Sequence, residues 1–330
     1  MRLGIYNPVR FAESGRLYME NIVRELERSD VRTVFMSGKD PLPRDVDLYW
    51  DPRSMGGLAP FKGLKTAGRP VVVTVHGAAP FALPAREYFP GFFRAAALKL
   101  YNMKKLLDWK PFRGRLTAII TVSVFAKVEI EACLYLKGEN IVPIHHGVDH
   151  DLFKPSDLLP EEPYLLTISH FQALKNLDRL FAAYNRLSMA GKPPLVAVVP
   201  GYTKKEAGRG IRVLRTPMAQ NRLAELYQGA MGFLFPSLIE SFGMPLVEAM
   251  ACGCPVITSR GSACEEVTAG AALLVNPRST EEIATTIEKL VVDEKLRQIL
   301  REKGIKQAAM FSWKKSAREH LKVFENALGR

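Results

Sequence analysis

Phe233-Leu-Phe-Pro-Ser-Leu-Ile-Glu-Ser-Phe-Gly-Met-Pro-Leu-Val-Glu-Ala-Met-Ala-Cys-Gly-Cys-Pro-Val-Ile-Thr258 is the stretch from which the fold can be read. An apolar run, Gly232 to Phe235, enters a polar loop. A helical pattern follows over Pro245 to Ala251, then a Gly/Pro turn and a second apolar run over Pro255 to Ser259. Strand, helix and strand in that order form the repeating unit of a parallel sheet. Pro245 suits the first turn of a helix, where its missing N–H would have had no partner. Gly243 lets the backbone approach a ligand, and the N–H groups of the first turn make an anion site. Glu248 lies on the helix and Glu240 in the loop ahead of it. Two carboxylates around one anion site would repel a phosphate if they touched it, so they should accept hydrogen bonds from neutral hydroxyls. The ligand that suits them has hydroxyls at both ends and a diphosphate between. Spacing alone leaves a second reading open, in which Glu240 is a surface loop residue and Glu248 faces solvent, because Glu is mostly exposed.

The same alternation extends in both directions. Leu3 to Pro8, Val31 to Met36, Pro70 to His76, Leu116 to Val122 and Asn140 to Ile144 read as strands, with helices over Gly15 to Arg28, Gly91 to Trp109 and Ser123 to Leu134. Asp149 to Pro163 turns to Asp, Pro and Glu without apolar period and reads as a connector and hinge. The pattern then restarts. Strands are predicted over Tyr164 to Ser169, Leu195 to Pro200 and Ile211 to Leu214, with helices over Leu177 to Met189, Gln220 to Gln228 and from Ser279 onward. Ligands of open α/β sheets collect beyond the carboxyl ends of strands. Lys175, after the strand ending at Ser169, is therefore placed to reach a diphosphate, and His76 leaves a buried strand in the first half in the same way. Both could equally be ordinary surface or structural residues. Gly15 opens the first helix and permits another close approach. His145 and His146, ahead of Gly147-Val148-Asp149, read as hinge residues.

With 330 residues, 47% hydrophobic and 24% charged, the chain has material for two domains. The net charge of +12 is uneven: seven basic residues and one acidic, Asp108, lie between Arg94 and Arg115. Such a stretch fits either a solvated helix face or contact with an anionic membrane surface. There is no nucleic-acid module, and no run of eighteen apolar residues. A cytoplasmic protein is expected, at most peripheral on the inner face of the membrane. Cys133, Cys252, Cys254 and Cys264 are too few for a disulfide framework; Cys252 and Cys254 could suggest a zinc site, but without a second CxxC or a clustered histidine they read as small core residues. Without a GxGxxG after the first strand, a nicotinamide dehydrogenase is disfavoured.

Taken together, these segments resemble the retaining glycosyltransferases of family 4, the glycosyl transferases group 1 with the GT-B fold. Pro236-Ser-Leu-Ile-Glu-Ser-Phe-Gly-Met-Pro245 with Glu248 looks like that family's paired-glutamate motif. Thr74-Val75-His76, Thr121-Val122-Ser123, His146-Gly147-Val148-Asp149 with Phe153 and Pro155, Lys175-Asn176 and Phe311-Ser312-Trp313 look like its other recurring segments. The resemblance implies two Rossmann-like domains facing across a cleft. The N-terminal, acceptor-side domain would comprise 1–152 plus about 312–330, whose final helix crosses back to it. The nucleotide-sugar-binding domain would comprise 153–311. It further implies that Glu240 contacts the donor sugar, Glu248 holds the ribose and Lys175 binds the diphosphate. Ser241, Phe242, Gly243, Met244 and Pro245 would line the sugar-phosphate end, and His76 would face the transferred sugar. Two positions depart from the pattern. His170 stands where many members carry Arg, and Gly15 stands alone where many have paired glycines.

The expected activity is retaining transfer of a hexose, mannose or glucose, from a donor such as GDP-mannose or UDP-glucose to a glycan or lipid-linked acceptor. No cofactor is expected. No Asp-x-Asp motif stands where a metal would be needed, so metal independence is expected. A nucleotide-sugar epimerase or a glycan phosphorylase on the same scaffold, or a non-catalytic nucleotide-sugar-binding subunit, are the alternatives.

Overall fold

The computed structural model describes residues 1–8, 13–38, 41–88, 91–156 and 162–329. The chain divides into two compact units, Met1–Gly147 with Ser312–Arg330, and Val148–Phe311. The expected connector, 149–163, lies partly outside the described residues.

The first unit runs β1 (Arg2–Tyr6), α1 (Glu13–Glu27), β2 (Arg32–Met36), β3 (Leu48–Ser54), β4 (Val71–Val75), α2 (Ala79–Ala82), α3 (Ala85–Tyr88), α4 (Phe92–Trp109), β5 (Ala118–Thr121), α5 (Val124–Cys133) and β6 (Ile141–Pro143). Among the described residues its strands form one parallel sheet in the order β2-β1-β3-β4-β5-β6. Both faces are covered, which is why the strands read as continuous apolar runs. In β4, Val72 points into a core with Leu3, Ile5, Ile22 and Trp50. Val71, Val73 and Val75 point the other way, toward Trp109, Ile119 and Ile130.

β3 has no counterpart in the sequence reading because Asp51-Pro52 disfavours a strand. The fold accommodates Pro52 with a shift of register against β4 between Asp51 and Ser54. The Asp51 carboxylate, fully buried, accepts from the backbone N–H of Phe61 at 2.7 Å and of Arg53 at 3.1 Å.

The second unit runs β7 (Tyr164–Ile168), α6 (Leu177–Arg186), β8 (Leu195–Val198), β9 (Ile211–Leu214), α7 (Gln220–Gly229), β10 (Ala230–Phe235), α8 (Met244–Ala251), β11 (Val256–Ser259), α9 (Ala263–Thr268), β12 (Ala272–Val275), α10 (Thr280–Val292) and α11 (Glu294–Ala308). Its strands are all parallel, in the order β12-β11-β10-β7-β8-β9. The order reverses between β7 and β10, and such a switch point leaves a crevice beyond the strand ends. Leu165, Leu180, Tyr184, Ile287 and Leu290 form the core beneath α6 and α10.

The last helix, α12 (Trp313–Ala327), packs in the first unit, where Val323 and Phe324 enter the core around Trp50. Ser312 caps it by accepting from the N–H of Lys315 at 3.2 Å. Gly147 lies so close to this cap that a Cβ there would fall 2.0 Å from the Trp313 nitrogen.

Candidate functional site

Lys175 and Glu240 lie sixty-five positions apart in sequence, but they leave neighbouring strands at the switch point. The loop after β7 carries Lys175 and the loop after β10 carries Glu240. The two loops are tied together by backbone: Leu238 N–H donates to Leu174 O at 2.8 Å. Asn176, held in the left-handed region at φ 59°, donates its side-chain amide to Pro236 O at 2.8 Å and Pro277 O at 2.6 Å. On that frame Lys175 Nζ donates to Glu240 Oε1 at 2.6 Å. The ammonium also lies 5.3 Å from the centre of the Phe235 ring. Only 15% and 11% of these two side chains reach solvent, so the pair is held close and partly dry.

Glu240 is fixed from its other side by α9, where Ala263 N–H donates to Glu240 O at 3.2 Å. Ser262 caps that helix, and Cys264 sits in its first turn. Burial, with the Glu240 charge second, pushes the Cys264 thiol up to about 11. Ser262 and Cys264 carried no functional signal in sequence. Only the parallel packing of β10 beside β11 brings the turn after β11 against Glu240.

Gly243 precedes α8 at φ 91°, a region that favours glycine, and a Cβ there would meet Leu246 Cδ1 at 2.9 Å. Leu246 N–H is taken by Gly243 O. Pro245 has none, so at the helix start it contributes shape and not a hydrogen bond. The Phe242 side chain is buried against Phe311, ring centres 5.8 Å apart, so it is a core group. Ser241, Met244 and Pro245 are half-buried.

Glu248 is neither a surface residue nor an unengaged acceptor. It is half-buried, and the Tyr227 hydroxyl donates to its Oε2 at 3.1 Å. Burial pushes its carboxyl up to about 7, opposed by that hydrogen bond. Tyr227 was missed because it occupies an apolar position of the α7 pattern, where an aromatic ring reads as core. It is core as well, stacking edge-on against Phe233 at 5.2 Å.

His170 is exposed, and its carbonyl closes a turn by accepting from Gln172 N–H at 2.9 Å. Gly15 is buried within the first turn of α1, and 9–12 ahead of it lie outside the described residues. It therefore has helical backbone, in the first turn of the helix that it was expected to open.

His76, just past β4 in the first unit, donates from Nε2 to Pro52 O at 2.8 Å, leaving Nδ1 as an acceptor. Its ring stands edge-on to Tyr18 at 4.7 Å, and burial lowers its pKa to about 4, so it is neutral near pH 7. His146 lies 5.7 Å from it, ring centre to ring centre. Tyr18 is anchored in turn by His320 on α12.

Cys252 and Cys254 are buried in the second unit, with thiols raised by burial, as small core residues. Asp45 and Asp47 both engage Arg2, and Asp149 accepts from the N–H groups of Asp151 and Leu152. Among the described residues no helix is long and apolar enough to cross a membrane.

Residues 149–307 match the family described as Glycosyl transferases group 1. The O-antigen chain mannosyltransferase B of Escherichia coli is 28% identical over 276 residues, 77% of this chain and 70% of that protein. The MMP alpha-(1->4)-mannosyltransferase of Mycolicibacterium hassiacum is 29% identical over 306 residues, 87% of this chain and 72% of that protein. In fold, the chain is similar to Anabaena HepE, solved in complex with UDP and glucose, at a TM-score of 0.74 and 14% identity, over 99% of this chain and 100% of that one. Residues 149–307 are thus similar to the glycosyl transferases group 1, and the two parallel-sheet units have the GT-B fold.

Proposed function

We propose that this protein transfers a hexose from a nucleoside-diphosphate sugar to a hydroxyl of a glycan or lipid-linked acceptor, with retention of anomeric configuration and without a metal ion. The observation that carries the reading is the Lys175–Glu240 pair at the switch point of the second unit, beside the glycine that opens α8. Mannose is favoured by the two mannosyltransferase relatives, and a nucleoside-diphosphate donor by the complex of HepE with UDP. GDP-mannose is the first donor to try, and UDP-glucose the second. The reaction would take place at the cytoplasmic side of a membrane.

In this reading the donor diphosphate lies against the N–H groups of Gly243 and Met244 and draws the Lys175 ammonium toward itself. Glu240 then loses its cation and accepts from hydroxyls of the sugar. Glu248 takes a ribose hydroxyl. The anomeric C–O bond to phosphate breaks while the acceptor oxygen bonds to the same carbon on the same face. The acceptor proton passes to a phosphate oxygen. Negative charge builds on the diphosphate, and each preorganised positive group aimed at it is worth about 3 kcal/mol. Lys175 and the amides of the α8 start supply that charge, so the reaction needs no divalent cation.

The test is sugar transfer from GDP-mannose and UDP-glucose to a panel of glycan and lipid-linked acceptors, with and without EDTA, the product anomer being read by NMR. Transfer that survives EDTA and keeps the donor's configuration is expected. Glu240→Gln should lower kcat about 10²-fold to 10³-fold. Release of free sugar with no acceptor product, or full activity in Glu240→Gln, overturns the reading.

A further inference from the structure

α4 carries apolar residues on its outer face as well as on its inner one. Spaced by three and four residues, Phe93, Ala96, Leu100, Met103 and Leu107 fall on one stripe of the helix. That stripe faces away from the core: Phe93 is 86% exposed, Leu100 65%, Met103 59% and Leu107 69%. The opposite stripe, Ala95, Leu98, Lys105 and Trp109, is buried. Polar groups of the helix turn inward instead. Lys105 Nζ donates to Gly56 O at 2.7 Å over the Tyr101 ring, and Asn102 Nδ2 donates to Pro80 O at 2.6 Å. A surface helix in water keeps its large apolar residues on the core side and leaves the outer face polar. A contiguous apolar stripe on a helix marks a surface that something covers.

Charge identifies the cover. Lys99 and Lys104 flank the stripe, and Arg94, Lys110, Arg113 and Arg115 lie at its two ends. The one acid of the segment, Asp108, is already 3.5 Å from Lys62 Nζ. A cavity of about 360 Å³ opens beside the helix, with Arg53, Lys62, Lys104 and Lys105 in its wall against the single acid Asp108. A second copy of this chain is a poor occupant, since pairing like faces would set these cations against each other. An apolar stripe edged by lysines and arginines matches the boundary between acyl chains and anionic headgroups.

We propose that α4 lies in the plane of an anionic bilayer, with Phe93, Leu100, Met103 and Leu107 in the acyl boundary and Lys99 and Lys104 among the headgroup phosphates. The cationic cavity takes one of those phosphates. This goes beyond the transfer reaction and is measured without it.

The whole chain is sedimented with vesicles of phosphatidylcholine, and of phosphatidylcholine with an equal part of phosphatidylglycerol. Binding to the anionic vesicles is expected, weakening as salt rises. Leu100→Glu with Leu107→Glu should reduce the partition by about a hundredfold, because each removes buried apolar area and adds repulsion. Both positions are exposed, so thermal melting should not move. Phe93→Trp should show a blue-shifted emission on anionic vesicles alone. Absence of sedimentation with either vesicle overturns the proposal. So does equal binding by the double variant. So does a dimer in solution that Leu100→Glu converts to monomer without any vesicle binding, which would assign the stripe to a second copy.

Discussion

At the scale of single residues, the site rests on groups that are engaged before any ligand arrives. Lys175 and Glu240 neutralise each other at 2.6 Å. Removing one leaves the other partly buried without its counter-ion, so Lys175→Met should destabilise the second unit by about 1–3 kcal/mol, less than for a fully dry pair. The double variant Lys175→Met/Glu240→Gln should recover part of this in a denaturation cycle. Glu248 gives a pH signature. Its carboxyl, pushed up to about 7, is partly protonated near neutrality, whereas a ribose hydroxyl needs the ionised form as acceptor. Donor affinity should therefore rise as pH is raised from 6 to 8, with release of a proton seen by calorimetry in buffers of different ionisation enthalpy. Glu248→Gln should bind with no such slope. His170 is exposed at the exit of β7, and His170→Arg would add a fixed guanidinium there. About a tenfold gain in donor affinity is expected, and unchanged calorimetric affinity would place the residue away from the diphosphate.

At the scale of elements, the first unit is held by a directed chain of hydrogen bonds across α1, β3, β4 and α12. His320 Nδ1 donates to Ser316 O at 2.7 Å, which leaves Nε2 as the acceptor for the Tyr18 hydroxyl at 2.5 Å. Tyr18 then accepts from Thr74 Oγ1 at 3.1 Å, which itself accepts from Trp50 Nε1 at 2.9 Å. The link through His320 depends on α12 keeping its place. Gly147 governs that place, because its missing Cβ makes room for the backbone at Ser312 and Trp313. Since the clash is with backbone and not with a side chain that could rotate, Gly147→Ala should cost about 3 kcal/mol. Hydrogen exchange should show it as lost protection in α12 and β4, with β7 to β12 unaffected. Wild-type protection in α12 would mean that the two segments can part freely.

At the scale of the whole molecule, the two units carry opposite pH dependences. His76 and His320 are lowered to about 4 by burial, and burial with neighbouring imidazoles lowers His146 well below the ordinary value. All three lie in the first unit, whose unfolded chain takes up protons near pH 6.5 that the folded unit refuses. Stability there is present above pH 6.5 and lost as pH falls toward 4. Asp51, raised by burial, works the other way, but it is one carboxyl against three imidazoles. In the second unit, the raised Glu248 contributes stability that is full below pH 4.5 and lost as pH rises through about 7. Between pH 7 and 5, unfolding of the first unit should move to lower temperature and that of the second should not. Calorimetry with exchange-resolved assignment reads both, and a common shift of the two units would contradict the assignment of these groups.

Sequence alone determined the parallel α/β class, most of the strands and the candidate acids and cation, because burial on both faces of a sheet writes long apolar runs and a helix start writes Gly and Pro. β3 was not legible, since Asp51-Pro52 breaks the local rule and only the shifted register and the buried acceptor role of Asp51 make it a strand. Tyr227 behind Glu248 and Ser262 and Cys264 beside Glu240 were hidden for another reason: they meet the acids through the order of strands, which no local pattern encodes. That order also joined Lys175 to Glu240 across sixty-five positions, and tertiary packing turned Lys105 of α4 inward, onto Gly56 O. Local periodicity fixes which residues share a face. Long-range packing decides what that face meets.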